Sequence, residues 1–211
     1  MTIQDRVEFQ FRDMREQAAT AIAGMWLFLA TEGLFFGGLF LAWLTYRVHF
    51  PAGFAQAARR TDLAIGTINT MVLMTSSALF ACGLPAVRLG HRRRLILLCL
   101  ATGLLGLVFM GLKLYEWRLD LARNLLPGAI ARDPAMPPGA ALFWMFYWLG
   151  TVLHMAHLAI GLGLIAWIGR LAARGRVHPG YYTPVEAVGL YWSFVDLLWM
   201  ILFSLIYLGA S

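Results

Sequence analysis

Charged side chains are scarce in this chain. They make up 13% of its 211 residues, while 60% are hydrophobic. A soluble domain carries about a quarter charged residues, so a water-soluble fold is excluded as the first reading. Cysteine is nearly absent: Cys82 and Cys99 are the two, with no Cys-x-x-Cys. That excludes a disulfide scaffold and a cysteine zinc site. Both lie just inside apolar stretches flanking one loop, so buried free thiols at similar depth are expected. Proline is confined mostly to connections, with Pro127, Pro134, Pro137 and Pro138 in the segment 118–139. Proline breaks helices, so a stiff, extended connector is expected there, with partner docking as the alternative. There is no Gly-rich phosphate loop and no nucleophile elbow, so no soluble active site is legible. The net charge of +6 is spread over short loops rather than one basic patch, which argues against nucleic acid as a partner.

Long apolar stretches are what the chain has. Five are long enough to span, near 20–47, 63–87, 95–117, 140–171 and 185–209, since a crossing needs roughly 20 residues. The expected fold class is all-α, an integral membrane bundle of five transmembrane helices in one membrane domain, 20–211. Residues 1–19 are expected to be a cytoplasmic tail or a short surface helix, with Val7, Phe11 and Met14 at helical spacing. A charged start without a short apolar region and cleavage site argues against a signal peptide. Arg and Lys alternate unevenly across the spans: ten fall with the N-terminal segment and the loops 88–94 and 170–176, and seven on the other side. The positive-inside rule then puts the N-terminus in the cytoplasm and the C-terminus in the periplasm. Asp62 after Thr61 can cap the second span, and Thr183-Pro184-Val185-Glu186 reads as a capping box with Thr183 at N-cap. Gly33 and Gly37 form a Gly-x-x-x-Gly pair of the kind that lets helices approach closely in lipid.

A few ionisable groups sit inside these spans. An intramembrane charge costs at least ~2.5–3.5 kcal/mol, so such residues face other helices and mark the polar interior. Gly150, His154, His157 and Gly161 share one helix face by spacing. The histidines can be structural, proton-linked, or metal or haem ligands. A metal would need Glu32, Glu116 or Asp196 as well. Glu186, Ser193 and Asp196 form a stripe on the fifth span. Glu32, His154 and Asp196 fall at similar depth, where two carboxyls and two imidazoles can neutralise one another, either as bundle glue or as a proton-exchanging site. Lys113 and Glu116 are spaced for an intrahelical pair near the outer interface. Asn69 lies in a strip of hydroxyl and amide groups on the second span.

These residues resemble a known family, subunit III of the haem-copper oxidases. Residues 24–36 (GMWLFLATEGLFF) look like its first conserved helix with its buried glutamate, here Glu32. Asn69-Thr70 followed by Leu73-Met74-Thr75-Ser76-Ser77 resembles "NTxxLLTSS", and Tyr115-Glu116-Trp117 resembles "YEY/YEF". Phe146-Tyr147 with residues 151–161 is similar to "FY…TGFHGLHVIIG", and Glu186-Ala187 with residues 191–199 to "EA…YWHFVDVVW". The family histidine of the last motif is Ser193 here, and Val152 and Met155 replace glycines, so helix contacts there should be less close. Five spans rather than seven match the short bacterial forms, and Asn69-Thr70, Lys113 and Phe146-Tyr147-Trp148 lean toward the nitric oxide reductase accessory type, NorE. The resemblance implies a bacterial inner-membrane subunit without haem or copper of its own. It would pack against catalytic subunit I, which holds those cofactors, support its proton uptake and durability, and bind lipid. Two other classes stay open: a small ion or proton transporter using Glu32, Asp196 and the histidines, and a b-type cytochrome.

Overall fold

A computed structural model describes residues 11–209. Among these residues eight helices follow in order: α1 (Met14–His49), α2 (Pro51–Ala58), α3 (Leu63–Ala81), α4 (Gly83–Arg88), α5 (Arg92–Ala122), α6 (Pro127–Ile130), α7 (Ala140–Ala173) and α8 (Thr183–Tyr207). Five stretches are long and apolar enough to cross a membrane, with α3–α4 and α5–α6 each counted as one. Among the described residues there is no strand, so the fold is the all-α bundle that the composition demands. Val7 and the first part of the N-terminal segment lie outside the described residues.

Local chemistry sets the helix ends. Asp13 caps α1, its Oδ1 accepting from the Glu16 amide at 2.7 Å. Asp62 caps α3 by accepting from the Ile65 amide at 3.1 Å, which satisfies one of the orphan donors of the first turn. Pro51 ends α1, because a residue before proline is pushed out of the helical region; Phe50 sits at φ −128°. Pro85 has no N–H to give to the preceding turn, and the second span breaks there into α3 and α4. The capping box at the start of α8 does not form. Tyr182 is the N-cap, no side chain caps the end, and Thr183 and Pro184 are already helical.

α3 packs along α5, α5 along α7, and α7 along α8, with α8 also reaching α3 and α1. The core is aromatic: Trp144, Tyr147, Trp192, Trp199, Phe36 and Phe109 are all buried. Gly150 and Gly161 let α7 meet α8, since a Cβ at Gly161 would stand 2.9 Å from the Trp192 ring and one at Gly150 would stand 2.9 Å from Leu202. The Gly33–Gly37 pair behaves differently. A Cβ at Gly37 would meet nothing within 4 Å and one at Gly33 only Phe194 at 3.9 Å, so the motif brings no helix close within this chain. Cysteine also departs from expectation. Cys99 is buried, but Cys82 is exposed, because it sits at the break between α3 and α4 rather than on a helix face packed in the bundle.

The segment 118–139 is not extended. α5 continues through Ala122, and α6 adds one turn that buries Ile130. Just before α6 the chain is tied to α7, where the Trp148 indole donates to the Leu125 carbonyl at 3.0 Å. Gly139 adopts φ +91° against Phe50, and Gly53 of α2 lies directly on the backbone of Pro138 and Ala140. A side chain at either glycine would collide with atoms that cannot move aside.

Candidate functional site

Two polar centres lie in the bundle. The first joins α1 to α7. Glu32 Oε2 and His157 Nε2 are 3.1 Å apart, and the pair is partly shielded, its side chains 23% and 15% exposed. His157 Nδ1 lies 2.8 Å from the Leu153 carbonyl. A carbonyl only accepts, so Nδ1 carries a hydrogen and Nε2 is left to face the carboxyl group. One proton therefore lies between Oε2 and Nε2, on one atom or the other. Phe36 closes the imidazole edge-on at 5.3 Å. The Tyr191 hydroxyl donates to the His157 carbonyl at 2.9 Å, which ties α8 to the same point.

The second centre joins α5, α7 and α8. Lys113 and Glu116 are 3.0 Å apart and fully or almost fully buried. The Lys113 ammonium also donates to Tyr207 at 2.7 Å and to Tyr147 at 3.3 Å. Tyr207 donates to Glu116 at 2.5 Å, and Tyr147 to Asp120 at 2.5 Å. One ammonium and two carboxylates are thus held by two phenols in a sealed site. The ammonium also lies over the rings of Tyr147, Trp199 and Tyr207, and this cation–π attraction offsets part of its desolvation. The spacing of Lys113 and Glu116 was legible in the sequence. Asp120, Tyr147 and Tyr207 were not: Asp120 follows Glu116 by one helical turn and was the available signal, but the tyrosines come from distant helices.

His154 lies between the centres and joins neither. It is fully buried, tilted against Trp199 at 5.1 Å and edge-on to Phe109 at 5.7 Å, with no hydrogen bond to either ring nitrogen. Asp196 is buried on α8 beside Ser77, yet neither carboxyl oxygen closes a regular hydrogen bond. The arrangement in which two carboxyls and two imidazoles neutralise one another is therefore not formed: of the four, only Glu32 and His157 meet. The helical rotation between His154 and His157 aims them at different neighbours. Ser193 is exposed and Asp196 buried, so the stripe on α8 divides between outside and core. Asn69 is fully buried with both amide atoms unpartnered, while its neighbour Thr70 accepts from the Trp199 indole at 3.0 Å. Glu186 is half-buried in the first turn of α8, at the opposite end from Tyr207. Among the described residues no three of His, Cys, Asp and Glu converge as a metal site requires.

Five apolar helices closed around buried ionisable side chains define a multi-pass membrane protein. Cytochrome c oxidase subunit 3 of Synechocystis sp. is 32% identical over 196 residues, covering 88% of this chain and 74% of that protein. A probable quinol oxidase subunit 3 of Staphylococcus haemolyticus is 27% identical, covering 88% of this chain and 87% of its own length. A haem-copper oxidase subunit I+III of Aeropyrum pernix is 29% identical over 202 residues, 22% of that longer protein. No protein-family model matches. The chain belongs to the subunit III family of the haem-copper oxidases.

Proposed function

We propose that this chain is an accessory subunit that packs against the catalytic subunit I of a haem-copper enzyme in a bacterial inner membrane, with its N-terminus in the cytoplasm. The observation that carries this reading is the 32% identity to a cytochrome c oxidase subunit 3 across 88% of the chain. A protein named as subunit I+III, with both parts in one polypeptide, supports subunit I as the neighbour. Haem and copper belong to that neighbour, and the role of this chain is to support its assembly, durability and proton uptake. The finer assignment leans on Asn69-Thr70 and Lys113 toward the NorE type, whereas the relatives named above are oxidase subunits. Neighbouring genes decide it: nitric oxide reductase genes mean denitrification, and oxidase subunits I and II mean oxygen respiration.

Glu32 is the proton-linked residue in this reading. It shares one proton with His157 across the 3.1 Å contact between Oε2 and Nε2. The test of the whole reading is affinity purification of the tagged chain in mild detergent, with a visible spectrum. Haem eluting with a larger subunit, and a colourless chain once that subunit is removed, is the expected result. A chain that elutes alone from cells expressing the oxidases overturns it.

A further inference from the structure

The end of the bundle where α3 starts and α5 stops holds a cleft of about 500 Å³. Arg59, Arg60 and Asp62 wall it from the α2–α3 turn, and Arg123 from the end of α5, with Leu63 and Leu125 beside them. Three guanidinium groups thus meet one carboxylate, and that carboxylate is already engaged as the cap of α3. The two ion pairs among the described residues are Lys113–Glu116 and Glu32–His157, so none of these arginines is in one. Asp120 lies near Arg123, but it is buried and held by Tyr147 at 2.5 Å. Helix dipoles favour a cation at the ends of α2 and α5, which accounts for Arg59 and Arg123 singly. They do not account for Arg60, nor for all three opening on one concavity.

The ligand chemistry follows from these groups. Guanidinium forks match the oxygens of a phosphate and bind them in pairs. A volume of about 500 Å³ is within the usual range for a small-molecule site. The cleft lies at the level where the apolar span begins, since Leu63 is the first residue of α3 and is 48% exposed. The head groups of phospholipids flank the hydrocarbon core at that level, within reach of the three guanidinium groups. We infer that this cleft binds a phosphate group, presented by an anionic phospholipid or as a free phosphate.

The experiment uses the purified full chain, depleted of lipid in detergent, and the variant R59Q/R60Q/R123Q. All three arginines are exposed, and circular dichroism checks that the variant keeps its helices. R93Q/R94Q, at the opposite end of the bundle, controls for lost charge in general. Phosphatidylglycerol and phosphatidylcholine compete for the chain in native mass spectrometry, and inorganic phosphate is followed by phosphorus NMR. Preference for phosphatidylglycerol, weakened about fivefold per arginine removed, identifies a lipid head group. Inorganic phosphate binding with the same arginine dependence, and no lipid preference, identifies a free phosphate. Binding of neither probe, or binding that the triple variant keeps or the control loses equally, overturns the inference.

Discussion

Leu153 fixes what Glu32 can do. By taking the Nδ1 hydrogen of His157, its carbonyl leaves one proton for the carboxyl group and Nε2 to share. A protonated carboxyl reacts with an apolar carbodiimide, so Glu32 should be labelled in intact membranes, with Glu32→Gln as the blank. An unlabelled Glu32 would mean an ion pair instead. Glu32→Gln keeps a donor toward Nε2 and should unfold in denaturing detergent close to the parent, whereas Glu32→Ala should unfold earlier; equal curves would show the hydrogen bond to be immaterial. At the second centre, Lys113→Met leaves Glu116 and Asp120 buried without their cation. Breaking a buried pair this way costs roughly 3–5 kcal/mol. The double variant Lys113→Met/Glu116→Leu should recover part of the loss, because the stranded charge goes with its partner. A double variant less stable than the single one would refute that account. The sequence made the residue types legible, since any ionisable group in an apolar span stands out. It did not reveal their partners. Tyr207 is distant in sequence from Glu116, yet donates to it at 2.5 Å.

At the scale of helices, glycine separates two kinds of surface. Gly161 faces Trp192 and Gly53 faces backbone, while Gly37 and Gly38 face open space. Gly53→Ala should therefore lower thermal stability sharply or prevent folding, because neither Pro138 nor Ala140 can move its main chain aside. Gly38→Ala should leave the isolated chain as stable or slightly more so, since glycine costs a helix interior about 0.5–1 kcal/mol relative to alanine. Melting curves of the two variants in detergent check this, and equal losses would contradict the packing described. The Gly-x-x-x-Gly pattern at Gly33 and Gly37 was visible in the sequence, but the pattern does not say which helix answers it. Helix starts were more legible where one local hydrogen bond decides. Asp62 caps α3 as its position suggests, and Asp62→Ala should cost about 1 kcal/mol. At α8 the same logic failed by one residue, because Tyr182 already closes the turn, accepting from the Val185 amide at 2.9 Å.

For the whole molecule, orientation is the property that loop charges predict and internal packing leaves open. With the N-terminus in the cytoplasm, a cysteine at position 93 (Arg93→Cys) should react with an impermeant maleimide only in inverted vesicles, and one at position 59 (Arg59→Cys) only in right-side-out ones. The reverse pattern would turn the protein over, and the arginine cleft with it. Composition by itself determined the class: with so little charge and five long apolar stretches, the backbone must satisfy its own hydrogen bonds in lipid, and helices do that within one segment. Spacing along each helix determined which residues share a face, so Lys113 with Glu116 could be paired in advance. The tertiary structure alone decided which faces meet. It sent His157 to Glu32, left His154 among aromatic rings, set Asp196 apart, and gathered two distant tyrosines around one lysine. The physical reason is that helical periodicity is local, while the rotation of each helix about its axis is set by the fit of glycines and large aromatic rings contributed by several helices together.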